Sequence, residues 1–96
     1  MSEIRPSKPR LTGAQLRAAR ALLDLTAEAL AEMTLLSLKT IRRAEQVNDE
    51  EAPIHPANTA RIIERLQSRG VVFIHADAEG VGVRLRRSPK PIFGND

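Results

Sequence analysis

The apolar residues in the first half of the chain recur at helical spacing in three short segments, each preceded by a hydroxyl residue. These residues, Thr12, Thr26 and Ser37, suit helix N-termini because their side-chain oxygens accept hydrogen bonds from free backbone N–H groups. Gln15 completes a capping box with Thr12. The pattern therefore predicts three helices, which cover about residues 13–23, 27–33 and 38–46.

The second half of the chain predicts a fourth helix followed by a β-hairpin. Pro56 suits the first turn of a helix, and Gly70 suits its C-terminal end. The apolar face of this helix would carry Thr59, Ile62, Ile63 and Leu66. Residues 71–75 are apolar, and residues 81–86 alternate apolar with polar, which predicts two strands joined by a loop at 76–80. Because a lone hairpin is only marginally stable, we expect it to pack on the fourth helix or to pair with a second copy.

Length and composition limit the chain to one domain. A chain of 96 residues seldom forms more than one hydrophobic core, and with only Phe73 and Phe93 as aromatics that core must be aliphatic. Residues 1–10 and 88–96 contain prolines and basic residues without apolar periodicity. We therefore predict a disordered basic arm and a flexible tail on either side of a domain at residues 11–87. Contact of these segments with a DNA minor groove is the alternative.

The residue types needed for metal, redox or catalytic chemistry are scarce. The chain has no Cys, and we predict that His55 begins a helix and that His75 lies in a strand or loop. Phosphate-binding loops, nucleophile elbows and metalloprotease motifs are absent from the sequence. We therefore expect no catalytic residues, no metal and no cofactor. Without a long apolar stretch or a signal peptide, the expected protein is cytoplasmic and has no membrane partner.

The positive charge is concentrated on the third predicted helix. The net charge is only +3, but Lys39, Arg42 and Arg43 lie within five residues of one another. We expect Ile41 and Ala44 to face the core. Helical geometry then turns the following side chains outward: Leu38, Lys39, Arg42, Arg43 and Gln46. Arginine matches the guanine edge in the major groove of DNA, and lysine suits phosphate or base acceptors. A solvated charged helix face is the alternative.

Several residues of the second and third predicted helices stand at the positions of a known motif. They are Leu30, Ala31, Leu36, Ser37, Thr40, Ile41 and Glu45. Together with the flanking segments from Leu11 to the closing Gly82–Arg86, they make the chain resemble the XRE family of regulators, relatives of Cro and the phage repressors. The resemblance implies a mainly α, four-helix lambda-repressor-like helix-turn-helix domain with a C-terminal β-hairpin at residues 71–86. It also implies a structural ion pair between Arg20 and Glu45.

The resemblance further implies a DNA-binding function. Residues 38–46 would form the recognition helix, which enters the major groove of double-stranded DNA. The residues expected to contact DNA are Ser37, Leu38, Lys39, Thr40, Arg42, Arg43 and Gln46. The expected function is a sequence-specific transcriptional regulator, such as a repressor, that binds two half-sites as a homodimer formed through the hairpin.

Three residues depart from the family pattern. Ala27 replaces the usual DNA-anchoring glutamine, Leu35 replaces the glycine of the turn, and Leu38 replaces a polar residue at the front of the recognition helix. A positive φ at Leu35 would cost on the order of 1 kcal/mol. Leu38 would read a base only through apolar contact, for example with a thymine methyl. The alternative function is an antitoxin-like or adaptor module with weakened or no DNA binding, in which Leu35, Leu36 and Leu38 contact a protein partner.

Overall fold

The computed structural model of the protein describes residues 10–75 and 78–86. The elements in chain order are α1 (Gly13–Leu22), α2 (Ala27–Thr34), α3 (Leu38–Gln46), α4 (Pro56–Ser68), β1 (Val71–Ile74) and β2 (Gly82–Leu85). The domain is mainly helical, and its two strands form an antiparallel hairpin, as the sequence predicts. The predicted tail at 88–96, the arm before Arg10 and part of the hairpin loop lie outside the described residues.

The predicted helix starts are confirmed by their capping hydrogen bonds. Thr12 and Gln15 form the capping box at α1, in which each side chain accepts a 3.0 Å hydrogen bond from the other residue's backbone N–H. Thr26 and Ser37 accept bonds of 3.0 and 3.1 Å from backbone N–H groups in the first turns of α2 and α3. At α4 the cap is His55, whose Nδ1 accepts a bond from a backbone N–H in the first turn. Local sequence therefore determines where all four helices begin.

The connection between α2 and α3 contains a strained residue. Thr34 extends α2 one residue beyond the predicted end. It is fully buried, and its hydroxyl is satisfied there by donating a 2.7 Å bond to the Leu30 carbonyl. The next residue, Leu35, adopts the left-handed conformation, with φ 60° and ψ 35°. The N–H of Leu36 then bonds to the carbonyl of Ala31 at 3.0 Å, which closes the helix end.

Replacing Leu35 with glycine is expected to stabilise the domain by about 0.5–1 kcal/mol. Glycine removes the left-handed strain, which costs about 1–2 kcal/mol in other residues, but it also increases the entropy of the unfolded chain. Little burial is lost because Leu35 is 74% exposed. The measurement is urea unfolding followed by circular dichroism. Leu35→Ala is the control, since it removes the leucine side chain but keeps the strain. Equal stability of the two variants would contradict the prediction.

The core is mainly aliphatic, with Phe73 as its one aromatic side chain among the described residues, and it joins all the elements. Its largest fully buried apolar side chains are Leu11, Leu16, Leu30, Ile41, Ile62, Leu66 and Val71. The predicted apolar face of α4 is confirmed, with Thr59 buried and Ile63 half-buried against the core. Gly70, which follows α4, has φ 100° and so provides the left-handed residue that ends the helix.

The hairpin packs on α1 and α4. Val71 lies opposite Leu85, and Phe73 lies opposite Val83, so that these side chains form the inner face of the hairpin. Gln15 of α1, which is 5% exposed, ties the two strands together at one end. Its amide nitrogen donates to backbone carbonyls of both strands, at 3.2 and 3.0 Å. The same side chain therefore caps α1 and holds the hairpin.

Candidate nucleic-acid interface

Helix α3 has one buried face and one cationic face. Ile41 and Ala44 are completely buried, as the helical periodicity predicts. Lys39, Arg42, Arg43 and Gln46 are exposed. Together with Leu38, these four side chains line a shallow depression on the surface. The structure thus brings most of the predicted site residues together on one face of a nine-residue helix.

Three of the predicted site residues are less available than the sequence indicates. Leu38 is not fully outward, because it is half-buried and packs against the core. Ser37 and Thr40 lie at the start of α3, where the Ser37 hydroxyl accepts from the Thr40 N–H and lies 2.9 Å from the Thr40 hydroxyl. Both hydroxyls therefore take part in the cap of α3. The exposed side chains of this surface are therefore those of Lys39, Arg42, Arg43 and Gln46.

One of these cations has an acidic neighbour that sequence reasoning missed. Arg42 donates a 3.3 Å hydrogen bond to the carboxylate of Glu28, in the first turn of α2, and both side chains are more than half exposed. Lys39 and Arg43, one helical turn apart, form no ion pair within the described part of the chain. The interface therefore has two free cations and one that shares its charge with a carboxylate.

The orientation of α3 is fixed by an ion pair with α1. The Arg20 guanidinium donates two hydrogen bonds to the Glu45 carboxylate, of 2.9 and 2.8 Å, as the family resemblance implies. The Glu45 side chain is only 9% exposed. Its hydrogen bond and charge raise the pKa of Arg20, although burial acts in the opposite direction. As long as Glu45 carries its charge, the contribution of the raised Arg20 pKa to stability is fully present below the unfolded pKa of Arg20, a range that includes neutral pH.

Arg17 holds the C-terminal end of α3, a role that the sequence analysis missed. Its guanidinium donates to the backbone carbonyls of Glu45 and Val47 at 2.6 and 3.0 Å. It also donates to the side-chain oxygen of Asn48 at 2.6 Å. A cation at this end of a helix satisfies free carbonyls and favours the helix dipole. The sequence did contain a sign of this role, because Arg17 lies three residues before Arg20 and therefore on the same face of α1.

Gly13, the first residue of α1, permits the close approach of α3. A Cβ atom at this position would lie 2.1 Å from the carbonyl oxygen of Val47 and 2.8 Å from that of Ala44. No side chain can be accommodated at such distances unless the backbone moves. Gly13, Arg17 and Arg20 therefore form one continuous contact of α1 with the C-terminal half of α3.

Helix α4 holds the end of α2 in a similar way. Arg61 donates to the Thr34 carbonyl and Arg65 to the Met33 carbonyl, both at 3.1 Å. These carbonyls belong to the last turn of α2, where the backbone has no helical partner. Both helices that flank the α2–α3 connection are thus fixed by arginines from neighbouring helices.

Comparison of the sequence with known proteins finds no relative. The chain matches no model of a protein family, and no curated protein is similar enough in sequence to count as a match.

Among residues 10–75 and 78–86, no helix has the length and apolar character needed to cross a membrane. In the same residues, no three acidic or histidine side chains lie together in an arrangement that could hold a metal ion.

Proposed function

We propose that the protein is a sequence-specific transcriptional regulator that binds double-stranded DNA, with α2 and α3 as a lambda-repressor-like helix-turn-helix. The observation that carries this proposal is the exposure of Lys39, Arg42 and Arg43 on one face of α3, whose opposite face is fixed to α1. A helix that is held rigidly and is cationic on its outer face suits the major groove. This proposal accounts for the charge, the exposure and the rigid support of α3 together.

The two free cations have distinct chemistry for DNA. A guanidinium can donate two parallel hydrogen bonds to O6 and N7 of guanine, so Arg43 is suited to direct base readout. Lys39 lies in the first turn of α3, where it can reach a phosphate or a base acceptor. Arg42 would exchange its bond to Glu28 for a contact with DNA.

A protein-interaction module is the second candidate, but the apolar surface available for it is small. Leu36 and Leu38 pack partly against the core, whereas Leu35 is 74% exposed. One exposed leucine is ordinary for a protein surface, since interaction sites usually present a contiguous apolar patch. This observation favours DNA over a protein partner at α3.

Selection of duplexes from a random DNA pool, followed by binding measurements across a salt series, tests the proposed function. Arg43→Ala is expected to weaken binding by about 5- to 150-fold and to relax the base preference, if it reads a base. Arg42→Ala should reduce the salt slope by about one, if it contacts phosphate. Arg69→Ala, an exposed arginine beyond α4, is the control and should bind like the parent. If the Arg42 and Arg43 variants match the parent in affinity and slope, the proposal is wrong. An inverted repeat in the selected sequences would support the predicted homodimer.

Removing the carboxylate beside Arg42 is expected to strengthen DNA binding. Glu28→Gln deletes a negative charge that would face phosphate and releases Arg42 from its 3.3 Å ion pair. From the size of exposed charge interactions we expect a gain of roughly two- to fivefold in affinity at low salt, which declines as salt screens the charge. Glu64→Gln makes the same charge change on α4 and should have a smaller effect. A Glu28 variant that binds no better than the Glu64 variant would count against this placement of α2.

A further inference from the structure

The hairpin and α3 lie on opposite sides of α1. Gly13, Arg17 and Arg20 contact α3, whereas Gln15 contacts the hairpin. At 3.6 residues per turn, Gln15 points about 200° around the helix axis from Gly13. A ligand bound to α3 therefore leaves the far side of the hairpin accessible.

The two outer edges of the hairpin differ in accessibility. The outer edge of β1 is not accessible to another strand, because Val71 is only 1% and Phe73 only 9% exposed. The hydrogen bond from the Arg86 N–H to the Gly70 carbonyl shows which residues of β2 direct their backbone N–H and C=O groups toward β1, namely every second residue counted from Arg86. It follows that the N–H and C=O groups of Val83 and Leu85 point away from β1. These groups have no hydrogen-bond partner among the described residues, and Leu85 is 44% exposed.

The side chains along the edge of β2 alternate in character. On the inner face, Val81 and Leu85 are 43% and 44% exposed, with Val83 half-buried between them. On the outer face, Arg84 and Arg86 are exposed and form no ion pair within the described ranges. A third strand at this edge would bury apolar side chains on one face and place its other side chains against two arginines. The edge thus specifies a strand with alternating apolar and acidic residues.

We propose that the edge of β2 binds an extended, acidic segment of a partner protein as an antiparallel third strand. Backbone hydrogen bonds to Val83 and Leu85 supply the pairing, and carboxylates opposite Arg84 and Arg86 supply the charge complementarity. A second copy of the hairpin fits less well, since β2 carries no carboxylate that could lie opposite Arg84 or Arg86. DNA could contact Arg84 and Arg86, but it would pair neither with the backbone edge of β2 nor with the apolar side chains on its inner face.

The first test uses a short synthetic peptide of alternating glutamate and valine as the probe, with binding measured by titration calorimetry. We expect the peptide to bind, and a peptide with lysine in place of glutamate not to bind. Arg84→Glu should weaken binding by at least about tenfold. Arg43→Glu, the same charge reversal on α3, should leave peptide binding unchanged. Because both arginines are exposed, circular dichroism should show that each variant is folded.

The second test asks whether the backbone edge is used. In an antiparallel third strand the valines lie opposite Val83 and Leu85, so their N–H groups point toward β2 and those of the glutamates point away. N-methylation of the valines should abolish binding, and N-methylation of the glutamates should spare it.

Three results would overturn the proposal. The first is equal loss of binding from both N-methylated peptides, and the second is equal affinity for the lysine peptide. The third is a loss of duplex DNA binding in Arg84→Glu as large as that in Arg43→Glu, which would make this face a nucleic-acid contact. The first two results do not depend on whether α3 binds DNA, so failure of this proposal can be distinguished from failure of the proposed function.

Discussion

Gly13→Ala is expected to lower the free energy of unfolding by about 3 kcal/mol or more, although alanine is ordinarily the better helix former. The added methyl group would lie 2.1 Å from the Val47 carbonyl oxygen, which is backbone and cannot rotate away. The helix would have to move from α3, and this movement would disturb the hydrogen bonds from Arg17 and Arg20. Since small domains have only about 5–15 kcal/mol of stability, a large share of the total would be lost.

Urea unfolding followed by far-ultraviolet circular dichroism measures this effect. Ala21→Gly, at an exposed position of the same helix, is the matched control for intrinsic helix preference and should cost about 1 kcal/mol at most. If Gly13→Ala were as stable as the parent, α1 and α3 could not approach each other as closely as described. The DNA affinity of the variant should fall in parallel, because α3 would lose its fixed orientation.

Arg20→Met is expected to destabilise the domain by about 2–3 kcal/mol, because the variant leaves the Glu45 carboxylate buried without its partner. The double variant Arg20→Met/Glu45→Leu should recover most of that loss, since it removes the buried charge as well. A double-mutant cycle from the free energies of unfolding isolates the coupling between the two side chains.

The chain offers a matched control for this cycle in the exposed pair of Arg42 and Glu28. It has the same two residue types, but its side chains are 59% and 64% exposed. Water and salt screen such a pair, so its coupling should be below about 1 kcal/mol. Equal couplings in the two cycles would mean that burial does not strengthen the contact between α1 and α3.

The features that the sequence predicted correctly depend on neighbouring residues. The caps at Thr12, Thr26 and Ser37 form within a single turn, and the exposed face of α3 follows from helical periodicity around Ile41. Leu38 was expected to face outward because periodicity alone does not show that a neighbouring element covers the start of the helix.

The features that the sequence did not predict depend on how separate elements pack. Arg17 contacts a residue 31 positions away, and Gln15 contacts one 67 positions away. Such contacts depend on the angles between helices, which no local pattern encodes. Gly13 is different, because a glycine directly after a capping threonine was a readable sign of close backbone approach.

The double use of Gln15 makes the hairpin part of the cooperative folding unit. If the hairpin separated from the domain, the amide of Gln15 would lose its two carbonyl partners, and its place in the capping box of α1 would no longer be fixed. Fraying of α1 would in turn loosen Gly13 and Arg17, which hold α3. We therefore expect local opening of the hairpin to be coupled to fraying of α1, so that the first helix and the hairpin open together rather than independently.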